Sequence, residues 1–164
     1  MRGVDLRLLG ELLRGCRRSD RDLARVLGLS QPTVSRKRRW LEKNGFIEYA
    51  GVPDLRKLGF DVLAITFGDW KHREFPDHRV DAAREFAERH PNLIFLSSGS
   101  VLCSGRVAIS VHRDYSEYTL FLSEIRSDWG KYMDVTGSFL ISLSFDEPLR
   151  SITFKHLADY VEKT

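Results

Sequence analysis

The sequence predicts an α+β chain: a helix-turn-helix of the winged type, then a ferredoxin-like βαββαβ domain with an extra C-terminal helix. Three observations carry this. Leucine recurs at helical spacing over Val4–Leu13, and two capped helices follow. From residue 58 onward, apolar and partly β-branched runs alternate with amphipathic stretches in the order β-α-β-β-α-β. Charge divides the same way: residues 1–50 hold 12 Lys+Arg against 6 Asp+Glu, and residues 51–164 hold 14 against 17. A basic first third on a mildly acidic remainder implies a polyanion partner for the first third only.

Each element has a local reason. Gly15 ends the first helix. Ser19-Asp20-Arg21-Asp22 is a capping box with Asp in place of the usual Glu. The helix that follows turns Leu23, Ala24, Val26 and Leu27 inward, and Gly28 suits the left-handed conformation that stops it. Ser30 caps a third helix, Pro32 is tolerated in its first turn, and Gly45 stops it after about Asn44. Phe46-Ile47-Glu48-Tyr49 alternates like a short strand, and AGVPDLRK over 50–57 reads as a connector. Strands are expected at 58–68, 93–103, 106–113 and 135–145, the last placing Phe139, Ile141, Leu143 and Phe145 on one face. Helices are expected at 80–90 and 115–128, with a terminal one at about 152–162. The domain boundaries that follow are 1–50, a linker at 51–57, and 58–164.

Composition excludes several classes. With 42% apolar and 30% charged residues the chain is a globular one. No apolar run approaches the roughly 20 residues that cross a bilayer, and no signal-peptide pattern opens the chain. No membrane partner is expected, and a cytoplasmic location is. Cys16 and Cys103 make neither a disulfide framework nor a ligand set and read as packed thiols. His72 and His78 lie among Asp69, Glu74, Asp77 and Asp81 but meet no metal-ligand spacing, so a solvated loop is expected, with no metal and no cofactor. His90 ends a helix, where a cation is favoured. His112 follows the Val107/Ile109/Val111 alternation and points away from the valine face, toward a dimer cleft or the surface. The tryptophans read as packing residues, Trp40 lying against the wing or linker.

The stretch GLSQPTVSRKRRWLEKNGFI, residues 28–47, carries the chemistry. A helix-turn-helix needs a small residue where its helices approach, a glycine in the turn and an apolar anchor in the second helix. Ala24, Gly28 and Val34 supply these at the usual spacing. At 100° per residue, Val34 and Leu41 share the inner face, and Arg36, Arg39 and Lys43 fall opposite. Ser30, Gln31, Pro32, Thr33 and Ser35 lie near the end that enters the major groove. Arg can hold guanine bidentately and Gln can hold adenine, while the remaining cations, Lys37 among them, would contact phosphates. A solvated basic face is the bland alternative. The frame, the caps and the charge asymmetry favour double-stranded DNA.

The stretch GCRRSDRDLARVLGLSQPTVSRKRRWLEKNGFIEYAGVPDLRKLGF resembles the N-terminal domain and linker of the Lrp/AsnC family of transcription regulators. The resemblance implies a ferredoxin-like domain of the RAM type behind the linker, and assembly into dimers or larger homo-oligomers through it. Arg38 departs from the pattern, which has an aliphatic residue there. Regulators of the family that bind amino acids carry a Gly-x-Tyr/Phe-Asp-like motif entering the third strand. Here Gly105-Arg106-Val107-Ala108 lacks the acid, which leaves room for a small-molecule effector but argues against an amino acid. The terminal helix exceeds the minimal pattern.

The function expected is a sequence-specific regulator, not an enzyme, acting as a dimer or higher oligomer on palindromic sites. A nucleoid-type architectural DNA binder is the alternative. A sirohaem-decarboxylase-like enzyme on the same architecture is disfavoured, because the histidine and arginine clusters of those enzymes are absent. Apolar residues on both faces of the strands, Ile94 and Phe95 beside Phe139 and Ile141, imply that a second copy covers the sheet.

Overall fold

The computed structural model of the chain describes residues 3–71, 79–101, 104–145, 150 and 152–163. It divides into two compact units, Met1–Val52 with Leu149–Thr164, and Pro53–Pro148. The His72/His78 cluster and Cys103 lie outside the described residues.

The first unit holds α1 (Gly3–Arg14), α2 (Asp20–Leu27) and α3 (Gln31–Lys43). Leu8 and Leu12 of α1 meet Leu23, Ala24 and Leu27 of α2 and Val34 and Leu41 of α3 in one cluster, with Leu9, Leu29 and Ile47 at its margin. Five of these side chains, Leu8, Leu12, Leu23, Val34 and Leu41, are fully buried. The segment after α3 forms no strand. A wing strand needs a partner to take its backbone hydrogen bonds, and none pairs with residues 46–49 among the described residues. Side chains hold the segment instead: Ile47 joins the core, and the Tyr49 hydroxyl donates to Glu42 at 2.8 Å.

The chain's last segment belongs to this unit, not to the second, where the expected boundary put it. A 3-10 turn at Lys155–Leu157 leads into α6 (Ala158–Val161), which packs on α1. The helix is shorter than the expected 152–162, since the backbone N–H of Lys155 bonds the Thr153 hydroxyl in a turn before it starts. Ala158 is fully buried, and Glu162 lies so close over Gly10 that a Cβ there would meet its carboxylate. Arg14 pairs with both Asp159 and Glu162.

The second unit is a four-stranded antiparallel sheet in the order β2-β3-β1-β4, from β1 (Val62–Trp70), β2 (Leu93–Val101), β3 (Ser104–His112) and β4 (Met133–Ser142). Helices α4 (Arg79–Arg89) and α5 (Tyr115–Trp129) complete the βαββαβ order. The first strand starts at Val62, not 58: residues 55–59 form a turn in which Gly59 takes φ +83° and the Phe60 N–H reaches back to the Leu55 carbonyl. The last strand ends at Ser142, so Leu143 and Phe145 are not on its face, and Phe145 is 91% exposed.

Asp114 caps α5 by accepting from the Glu117 N–H at 2.8 Å. The spacing then aims Tyr118, Phe121 and Ile125 at the sheet. They meet Val62 and Ala64 of β1, with Phe86 of α4. His112 is completely buried on this helix face, neither surface nor cleft. Its ring lies against Tyr118 and Phe121, its Nε2 bonds Ser110 Oγ at 2.8 Å, and Asn92 stands 3.3 Å from Nδ1. Burial lowers its pKa, with Glu117 opposing weakly. Strand alternation explains the error: facing away from Val111 means facing α5, whose Tyr118 and Phe121 cover the ring.

Candidate nucleic-acid interface

The interface is built by the turn between α2 and α3. Ser19 caps α2, its hydroxyl accepting from the Asp22 N–H at 3.1 Å. Gly28 closes the helix at φ +68°, and the Leu29 N–H bonds the Ala24 carbonyl at 3.0 Å. Ser30 then caps α3, with Thr33 Oγ1 at 2.8 Å from its hydroxyl and Pro32 in the first turn. Val34 and Leu41 bury one stripe of α3, which fixes the helix about its axis.

Rotation decides where each cation goes. Gln31, Pro32, Arg36, Arg39 and Lys43 are exposed, and Thr33 and Ser35 are half-buried beside them. Arg39 donates to Ser35 Oγ at 3.0 Å, one turn earlier. Among the described residues Arg36, Arg39 and Lys43 enter no ion pair, so their charge faces solvent. Ser30, at the N-terminal end, is exposed and engaged in capping.

Two cations of the run turn elsewhere. Lys37 reaches α1 and pairs with the buried Asp5 at 2.5 Å. Arg38 points across the turn. It donates to the Cys16 carbonyl at 3.0 Å, to the Arg18 carbonyl at 3.2 Å and to Asp20 at 3.1 Å. It also bonds Glu42 and lies over the Tyr49 ring. Partial desolvation opposes its charge, but Tyr49 and Asp20 prevail, and its pKa is raised. Burial and the bond to Glu42 likewise raise the Tyr49 pKa, keeping the phenol a donor. Arg38 is a fastener inside the domain, so its head does not reach out as a stem-packed surface arginine would.

Sequence reasoning passed over one feature. Arg17 and Arg21 are exposed beside the start of α2 and add to the positive surface. Their signal is the CRRSDR run before and into α2. Trp40 lies against the segment after α3, as expected: it stacks on Phe46 at 5.1 Å, and both rings stay exposed. Cys16 is exposed rather than packed. No described group of His, Cys, Asp and Glu could hold a metal, and no described helix is long and apolar enough to cross a membrane.

Residues 1–48 match the family model described as winged helix-turn-helix DNA-binding. The chain is similar to the HTH-type transcriptional regulator LrpC of Bacillus subtilis (strain 168), at 31% identity over 93 residues, 56% of this chain and 61% of that protein. The sequence match thus spans under two thirds of the relative's length. The structure of B. subtilis LrpC superposes with a TM-score of 0.72 at 23% identity, covering 90% of this chain and 96% of that one. A transcriptional regulator from Neisseria meningitidis, solved as a complex with L-Met, gives 0.74 at 16%, covering 96% and 99%. An AsnC family transcriptional regulator from Agrobacterium tumefaciens gives 0.72 at 16%, covering 92% and 94%. At these identities the structural likeness is one of fold.

Proposed function

We propose that the chain is a regulator of the Lrp/AsnC type: a sequence-specific DNA-binding regulator of transcription without a catalytic step, working in the cytoplasm. One observation carries this: Arg36, Arg39 and Lys43 stand together on the solvent face of α3, directly opposite the stripe that Val34 and Leu41 bury. In a helix-turn-helix that face enters the major groove. Gln31, Thr33, Ser35 and Arg36 then lie nearest the bases, and Arg39 and Lys43 nearest the phosphates. Ser30 and Pro32 set the helix start that aims them. Lys37, held by Asp5, is left only a distant electrostatic part.

The acting form is a homodimer or larger homo-oligomer, paired through the open sheet face of the second unit. Phe95 and Phe139 are half or more exposed there. An apolar surface of that kind is stable when a second copy covers it, and a two-fold dimer matches palindromic half-sites.

The test is selection of sheared genomic DNA by the purified protein at about 0.15 M salt, where weak phosphate attraction is partly screened. Enriched fragments sharing a two-fold symmetric motif support the reading. Retention without enrichment means an architectural binder. No retention means that the basic face is only solvated.

A further inference from the structure

Two large rings stand exposed where the basic helix ends. Trp40 lies near the end of α3 and Phe46 just beyond it, and their rings stack at 5.1 Å with 21° between the planes. The turn after the helix sets the pair. Gly45 takes φ +68°, its N–H bonds the Glu42 carbonyl at 3.1 Å, and the Phe46 N–H bonds the Leu41 carbonyl at 2.9 Å. A helix closed in this way brings the residue after the glycine back over the last turn, where an apolar contact is common. That accounts for one face of each ring. It leaves Trp40 44% and Phe46 47% exposed.

The neighbours of Trp40 on α3 indicate what the remaining face meets. By helical rotation it stands about 40° from Arg36 and about 60° from Lys43 around the axis. Both cations are exposed and enter no ion pair among the described residues. Glu42 lies on the opposite side of the helix, held by Arg38 and by the Tyr49 hydroxyl. The indole N–H finds no acceptor among the described residues. Residues 46–49 pair with no strand there, so no wing hairpin covers the rings. An apolar ring with an unpartnered donor, set beside two cations, matches a surface that is part sugar and part anion.

We propose that Trp40, backed by Phe46, is a further DNA contact: its ring lies on a deoxyribose at the wall of the groove that the Arg36 face enters, and its indole N–H donates to the adjoining phosphate. This rests on the reading of α3 as the helix that enters the groove. Trp40 stands to one side of that face, and the sides of a helix in a groove meet the sugar–phosphate walls. The contact is uncharged and releases no counterion, so it adds affinity without adding to the salt dependence. It carries no base preference, since every nucleotide offers the same sugar and phosphate.

Binding of a fluorescein-labelled duplex of mixed sequence is followed by anisotropy over about 0.05–0.2 M salt, for the full chain and for Trp40→Ala, Trp40→Phe and Lys43→Ala. Trp40→Ala is expected to weaken binding about tenfold at every salt concentration, with the slope against salt unchanged and the far-ultraviolet circular dichroism retained. Trp40→Phe, which keeps a ring and loses the donor, weakens it less. Lys43→Ala lowers the slope by about 1. Indole N–H spectra of the unsubstituted chain give the same answer without a variant effect on folding: the duplex shifts the signal that is missing from Trp40→Phe, and leaves those of Trp70 and Trp129 in place. Parent affinity in Trp40→Ala, with Lys43→Ala weakened, would overturn the proposal and leave the reading of α3 intact. A lowered slope in Trp40→Ala, or a Trp40 indole signal that moves with protein concentration and not with the duplex, would also overturn it, the latter by placing a second copy on the rings. Parent affinity in both Trp40→Ala and Lys43→Ala would overturn the proposal and the reading together.

Discussion

Arg38 Nη2 lies 3.0 Å from the carbonyl oxygen of Cys16, so an arginine in the middle of the basic run ties α3 to the loop before α2. One guanidinium serves two carbonyls and the Asp20 carboxylate. Arg38→Ala is expected to destabilise the first unit by about 1–2 kcal/mol, the range for charge-assisted hydrogen bonds lost near a surface. Arg38→Lys does not restore it, because an ammonium lacks the planar fork. Urea unfolding of the three proteins checks this, and equal midpoints contradict it.

Lys37 and Lys43 should separate in their response to salt. Lys43→Ala reduces the slope of log affinity against log salt by about 1, as the loss of one phosphate contact does. Lys37→Ala leaves that slope unchanged and costs stability instead, with a coupling to Asp5 of about 0.5–1 kcal/mol in a double-mutant cycle. The reverse pattern would mean that Lys37 leaves Asp5 on DNA.

His112 makes the second unit sensitive to acid. Its folded pKa is below the ordinary value because the ring is buried. The unfolded chain takes up the proton near pH 6.5 and the folded one does so only lower. Stability is therefore level above about pH 7, falls as pH drops through 6.5, and levels again below the folded value. His112→Gln should show a smaller drop in urea midpoint between pH 7.5 and 5.5. An identical drop assigns the sensitivity to another group.

Arg14 holds the terminal segment on α1 through Asp159 and Glu162. The hydrogen bond from Arg14 keeps the Asp159 pKa below the carboxylate range. The contribution is present above the unfolded carboxylate value and is lost as pH falls through the folded one. Arg14→Ala is expected to speed amide exchange over residues 158–162 at pH 7, with little change at the Leu23 or Leu41 amides. These pairs are open to solvent, so high salt should mimic the substitution.

Much of this was legible in the sequence, for local reasons. Caps at Ser19 and Ser30, the stop at Gly28 and the stripe of Val34 and Leu41 each depend on neighbours within a turn or two. What sequence could not show were partners far along the chain. Arg38 and Lys37 look like their exposed neighbours until Cys16, Asp20 and Asp5 arrive from other elements. Periodicity placed His112 on one of two faces, but which face is covered depends on where α5 packs. The terminal segment is placed by its acids and Ala158, through Gly10 and Arg14 of α1, partners about 150 positions away in the sequence.

The central claim is that the Arg36 face of α3 reads DNA. The most direct measurement is the affinity of Arg36→Ala for the selected operator and for operators altered one base pair at a time, with unfolding curves as control. An affinity loss of about tenfold or more, preference lost at one position of each half-site, and an unchanged urea midpoint are expected. Full affinity and full preference in a folded Arg36→Ala protein would contradict it.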